Sequence, residues 1–132
     1  MRSHLRIARP VSDLDRSVAI YCRGLELREL GRFENHAGFD EVMLGNLAVG
    51  YHFEFTYCRI HPITPAPTPE DLVVFCLPEP NEWQKACSRL LKSGFKEVTA
   101  FNPYWQQPGR TFQDHDNYCI VLEQATWSKS GF

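Results

Sequence analysis

The stretch Thr111-Phe112-Gln113-Asp114-His115-Asp116-Asn117-Tyr118-Cys119-Ile120-Val121-Leu122-Glu123 reads as two apolar-rich strands joined by an acidic turn. Asp and Asn bond to nearby backbone and so favour turns, and Asn tolerates a positive φ. Arg110 to Gln113 and Tyr118 to Glu123 are therefore predicted strands, with Phe95 to Thr99 a third beside them. Upstream, Gly94 followed by Phe95 predicts a left-handed stop in which Phe95 folds back on Leu90. The helix it closes starts at Asn81, with Gln84 completing a capping-box pair, and Trp83, Cys87, Leu90 and Leu91 form its apolar stripe. Leu72-Val73-Val74-Phe75-Cys76-Leu77, apolar on both faces, predicts a buried strand before that helix. The order is βαβββ.

The first half repeats it. Leu5-Arg6-Ile7-Ala8-Arg9 alternates as a half-buried strand and Pro10 ends it by removing a ladder donor. Ser12 is the expected cap of a helix whose Leu14, Val18, Tyr21 and Leu25 recur at helical spacing, with Gly24 as its stop. Leu27 to Phe33, Phe39 to Leu44 and Val49 to Tyr57 are predicted strands, parted by the turns Asn35-His36-Ala37-Gly38 and Gly45-Asn46-Leu47. Between the halves, Cys58 to Glu70 carries Pro62, Pro65, Pro67 and Pro69 and reads as an extended connector. Module 1 spans 4–57, the connector 58–70 and module 2 71–125 of one α+β domain, 1–132. An offset of about 70 residues exceeds solenoid repeats and implies a duplicated module.

Composition narrows the partners. A chain of 132 residues with 43% hydrophobic content suffices to bury a core without staples. A net charge of -2 leaves no basic excess for phosphates, which argues against nucleic acid. No apolar run reaches bilayer-spanning length and no signal-peptide pattern opens the chain, so the expected location is the cytoplasm. Cys22, Cys58, Cys76, Cys87 and Cys119 are odd in number and lack CxxC pairing, which disfavours disulfides and thiolate zinc and predicts buried, reduced thiols.

Pro10-Val11-Ser12-Asp13-Leu14-Asp15-Arg16-Ser17 followed by Tyr21 resembles the first-helix motif V-x-D-L-x-x-S-x-x-F-Y of the vicinal oxygen chelate superfamily. Asp114-His115-Asp116-Asn117-Tyr118 resembles its closing D-P-D-G-Y turn, with His115 in place of proline and Asn117 in place of glycine. That superfamily includes glyoxalases, bleomycin-resistance proteins and extradiol dioxygenases. The resemblance implies two βαβββ modules whose curved sheets form an open barrel around a cavity, and a homodimer.

In metal-dependent members, four strands each place a ligand, usually His, Glu, His and Glu. By resemblance those positions fall on Arg6, Glu54, Leu72 and Val121, of which only Glu54 can bind a cation. The expectation is therefore no cofactor and no inherited metal. Alternation puts His52, Glu54 and Thr56 on one strand face, with Arg6 expected to pair with Glu54. That pair either fills a vestigial metal site or grips a ligand's carboxylate or phosphate through Arg6 while Glu54 orients it or takes a proton. A shifted divalent-metal site of His4, His52 and Glu54 is a further alternative. Asn102-Pro103-Tyr104-Trp105 reads as a loop whose Tyr104 and Trp105 either stack on a flat ligand or cover the core. His36, His61 and His115 read as solvated loop residues without a role.

Two function classes follow. One is a binding protein of the bleomycin-resistance type, holding a small anionic or aromatic molecule through Arg6, His52, Glu54, Tyr104 and Trp105. The other is a lyase, isomerase or dioxygenase-type enzyme with Glu54 and His52 as its catalytic groups.

Overall fold

The computed structural model describes residues 1–127 and divides the chain into two compact units, Met1–Ala66 and Pro67–Phe132. The division falls inside the proline-bearing connector, where no helix or strand forms over 59–70. In the first unit, strands β1 (Leu5–Pro10), β2 (Arg28–His36), β3 (Phe39–Gly45) and β4 (Tyr51–Cys58) accompany helix α1 (Leu14–Leu25). The second holds β5 (Leu72–Cys76), α2 (Pro80–Ser93), β6 (Lys96–Val98), a single 3-10 turn over Pro103–Trp105, β7 (Gly109–Gln113) and β8 (Cys119–Glu123). Each unit is βαβββ, and the expected two-module α+β fold is the one observed. The sheet orders correspond, β1-β4-β3-β2 and β5-β8-β7-β6, with one parallel pair at an edge and antiparallel pairs elsewhere. Neither sheet is closed.

In the first unit, Val42, Leu44, Phe53 and Phe55 leave at most 1% of their surface to water, on the sheet face that meets α1. Tyr21 of α1 is 0% exposed and packs edge-on against Phe53 and Phe55, at 5.4 and 4.8 Å between ring centroids. The buried positions of the helix are Ser17, Ile20, Tyr21 and Gly24, so the stripe turns slightly from the expected Leu14, Val18, Tyr21 and Leu25. Two further expectations are corrected. Asp13, not Ser12, caps α1 by accepting from the backbone of Arg16, because its carboxylate also meets the positive helix end. Gly24 lies within the helix, and Glu26 takes the left-handed closing position at φ 54°.

In the second unit, Phe112, Ile120 and Leu122 are buried on the helix side with Cys87 and Leu90, and the Trp83 indole donates to the Leu122 carbonyl at 2.9 Å. Leu91, expected in that stripe, is 44% exposed. The helix cap is Glu79 rather than Asn81. Its carboxylate accepts from the backbones of Asn81 and Glu82, and Pro80 occupies the first helical turn, where a missing N–H is harmless. Gly94 closes the helix at φ 123° and Phe95, 3% exposed, donates its backbone N–H to Leu90 as expected. In the β7–β8 turn, Asp114 accepts from the backbones of Asp116 and Tyr118, and Asn117 adopts φ 71°. Asn thus supplies the positive φ for which glycine is the usual residue.

All five cysteines are free, but only Cys87 and Cys119 are buried; Cys76 is exposed, against expectation. Among the described residues, no helix is long and apolar enough to cross a membrane.

Candidate functional site

The register of the first sheet sets the charged cluster. Arg6 lies opposite His52 and Ala8 opposite Glu54 across the parallel β1–β4 pair. Arg6 therefore reaches its carboxylate on a diagonal. Its Nε donates to Glu54 Oε2 and its Nη2 to Glu54 Oε1 at 2.8 Å, a two-pronged match of planar groups. The Glu54 side chain is 4% exposed and that of Arg6 65%. Burying the carboxylate alone would be costly, and the guanidinium offsets that cost. His52 adds a contact of 2.9 Å between Nε2 and Glu54 Oε2, while His4 Nε2 lies 2.6 Å from His52 Nδ1. The expected Arg6–Glu54 pair and its neighbours His52 and His4 are brought together.

Glu41 completes the cluster. It lies on β3 two residues before Met43, which pairs with Glu54, so alternation returns it to the same face. Its carboxyl couples to that of Glu54. Arg6 holds Glu54 down to about 2, assisted by the hydrogen bonds from Glu41 and His52 and opposed by burial. The bond to Glu54, together with burial and the charge of Glu54, pushes Glu41 up to about 7. Two carboxyls close together cannot both ionise freely, and the one without the guanidinium holds its proton to higher pH. Reading the sequence missed Glu41. Its signal was the alternation with Val42 and Leu44, but only the pairing of β3 on β4 makes that alternation point to Glu54.

These donors do not fit the superfamily's metal. Arg6 occupies both oxygens of Glu54. In the second sheet, Leu72 stands opposite Cys119 and Val121 opposite Val74, the same diagonal that relates Arg6 to Glu54. Those two positions offer hydrocarbon only. For the shifted alternative, His4, His52 and Glu54 meet one another in a hydrogen-bonded file, and among the described residues no group of three His, Cys, Asp or Glu side chains is arranged to hold a metal ion.

A cavity of about 260 Å³ opens on the second unit alone, against the sheet face carrying Leu72, Val98, Thr111, Gln113 and Cys119. Its wall is the segment from Thr99 to Asn102 together with Trp105. Contrary to a plain loop, Pro103–Trp105 forms a 3-10 turn, capped by Asn102 accepting from the Tyr104 backbone. Trp105 lines the cavity, whereas Tyr104 does not; it is 62% exposed and meets Trp105 edge-on at 4.9 Å. Gln106 ties the segment back by accepting from the Ala100 backbone at 3.0 Å. Gly109 is needed beneath it, since a Cβ there would collide with the Trp105 carbonyl and the Glu123 carboxylate. His115 also departs from expectation, its side chain being 10% exposed rather than solvated.

Two family models match the chain in tandem, the YycE-like N-terminal domain over residues 5–56 and the YycE-like C-terminal domain over residues 70–124. The YycE protein of Bacillus subtilis (strain 168) is 40% identical over 120 residues, 91% of this chain and 86% of that protein. A crystal structure of Bacillus subtilis YycE matches with a TM-score of 0.88 at 37% identity, covering 96% of this chain and 93% of that one. The fosfomycin resistance protein FosX of Mesorhizobium loti matches at TM-score 0.73 and 15% identity over 98% of this chain and 97% of its own, a likeness of fold. The chain belongs to the YycE-like family, within the vicinal oxygen chelate superfamily.

Proposed function

We propose that this protein binds a small organic molecule in the cavity of its second unit and uses no inherited metal centre to do so. The observation that carries this reading is the cavity itself. Its 260 Å³ approaches the lower end of ligand pockets, and Trp105 offers a flat apolar wall. That supports the aromatic half of the expectation over the anionic half, because the one guanidinium assigned to grip an anion is already matched to Glu54. A thermal-shift screen of small aromatic and carboxylate compounds tests the function. A ligand at about a hundred times its Kd should stabilise the chain by about 2.7 kcal/mol. The reading expects such a compound, its effect lost in Trp105→Ala and kept in Arg6→Ala. A screen with no stabilising compound, or only compounds that depend on Arg6, contradicts it.

One observation favours a second reading, an enzyme of the lyase or isomerase kind. The file His4–His52–Glu54–Glu41 joins a depressed carboxyl to one held near neutrality. Such a pair suits general acid–base chemistry, with Glu54 and His52 handling a proton that Glu41 supplies or stores. Turnover of a ligand found in the screen, abolished by Glu54→Gln, is the outcome that would replace binding by catalysis.

A further inference from the structure

The cavity of the second unit differs from the charged cluster of the first in one chemical respect. Among its described lining residues there is no Asp, Glu, Lys, Arg or His. Its polar side-chain groups are those of Thr99, Asn102, Thr111 and Gln113, the thiol of Cys119 and the indole N–H of Trp105. Asn102 is spent on the local fold, since its Oδ1 accepts from the Tyr104 backbone. Thr111 is different. It is 4% exposed, and its hydroxyl is buried without a hydrogen-bond partner. A buried hydroxyl left unmatched is a standing cost to the folded chain, relieved when something supplies the missing partner. Gln113 lies two residues along β7 on the same face and also lines the cavity, with both a donor and an acceptor to offer.

Resting on the proposed binding function, we propose that the ligand is uncharged and flat, and that Thr111 is the specificity-determining residue that reads a carbonyl or amide group on it. An aromatic ring suits the indole of Trp105 and the hydrocarbon of Leu72, Val98 and Phe101. A carboxylate in the same place would lose its hydration and find no cation in the lining, so the site rejects anions by leaving them unpaired. An unadorned hydrocarbon would fill the space while leaving the Thr111 hydroxyl unmatched. Discrimination thus runs in both directions from one hydroxyl in an uncharged cavity.

The test uses the full chain and three probes that share one ring system: naphthamide, naphthoate and methylnaphthalene. Binding is followed by amide-resolved NMR, which reports whether the signals of Trp105 and Thr111 move. The expected result is naphthamide about tenfold tighter than methylnaphthalene and more than about tenfold tighter than naphthoate. Thr111→Val should remove the tenfold preference for naphthamide over methylnaphthalene, and Thr111→Ser should keep it. The serine variant also guards against a loss caused by misfolding. Naphthoate binding as tightly as naphthamide, or a preference unchanged in Thr111→Val, overturns the inference and leaves the binding function standing. Failure of all three probes to shift Trp105 overturns the binding function together with it.

Discussion

Replacing Glu41 by Gln should change the way stability depends on pH, and the size of the change follows from its position beside Glu54. The ordinary glutamate value of 4.5 is moved to about 7 in the folded chain, first by the hydrogen bond to Glu54 and then by burial. Between those two values the folded state keeps a proton that the unfolded chain has released, so stability falls as pH rises. The full displacement corresponds to about 3 kcal/mol above neutrality. Water at the half-buried side chain screens part of this, leaving about 2 kcal/mol. Glu54 works in the opposite window. Its depressed value adds stability above the unfolded pKa of 4.5, which is lost as pH falls toward 2. Gln at position 41 still has an N–H to donate to Glu54 but has no proton to lose. Urea unfolding of both proteins from about pH 5 to about pH 8 isolates the effect, because every other titrating group is shared. The variant should gain on the native chain as pH rises, by about 2 kcal/mol across the range. A difference that stays constant with pH would refute the upward shift of Glu41 beside Glu54.

Arg6→Met should leave the Glu54 carboxylate buried without its partner, raising its pKa above the ordinary range; carboxyl-resolved NMR titration would detect this, and an unchanged low value would contradict it. Arg6→Lys should recover only part of the depression, since an ammonium cannot match both oxygens at once. Phe53→Ala, at a position 0% exposed against Tyr21, should cost about 3–5 kcal/mol in chemical denaturation, and a loss below about 1 kcal/mol would be inconsistent with the described core. Asn117→Ala should cost about 1 kcal/mol by forcing φ 71° on a residue that disfavours it, whereas Asn117→Gly should be neutral or stabilising in the same assay.

Much of the fold was legible because it is written in local signals. The doubled βαβββ order came from alternation, apolar runs and the punctuation of Gly and Pro, and the turn at Asp114 carries its own backbone partners. Helix starts were less legible where neighbouring residues compete as caps. Ser12 and Asp13 both qualify by type, and the helix uses the one whose charge suits its end. At Glu79 a carboxylate does what Asn81 was expected to do, which Pro80 as a helix starter could have signalled.

The candidate site divided along the same line. Arg6 facing Glu54 followed from strand parity combined with the family motifs, and the registers of the two sheets share that diagonal. Glu41 was missed because its place depends on a pairing between strands, a non-local fact. The cavity of the second unit was legible only in part, through Asn102 and Trp105, for a related reason. Its wall from Thr99 to Trp105 has no periodicity and is held by the Asn102 and Gln106 side chains accepting from backbone two and six residues away. Trp105 was the lining residue whose type suggested a ligand contact.

The central claim, that a guanidinium–carboxylate pair stands where metal-dependent relatives of this fold keep an ion, is tested most directly by equilibrium dialysis. Purified protein is dialysed against Mn²⁺, Ni²⁺, Zn²⁺ or Fe²⁺ and the bound metal is measured beside Glu54→Ala. Native chain and variant should retain the same trace amounts, because Arg6 occupies both Glu54 oxygens and Leu72 and Val121 offer no lone pair. Stoichiometric metal on the native chain that disappears in Glu54→Ala would contradict the account.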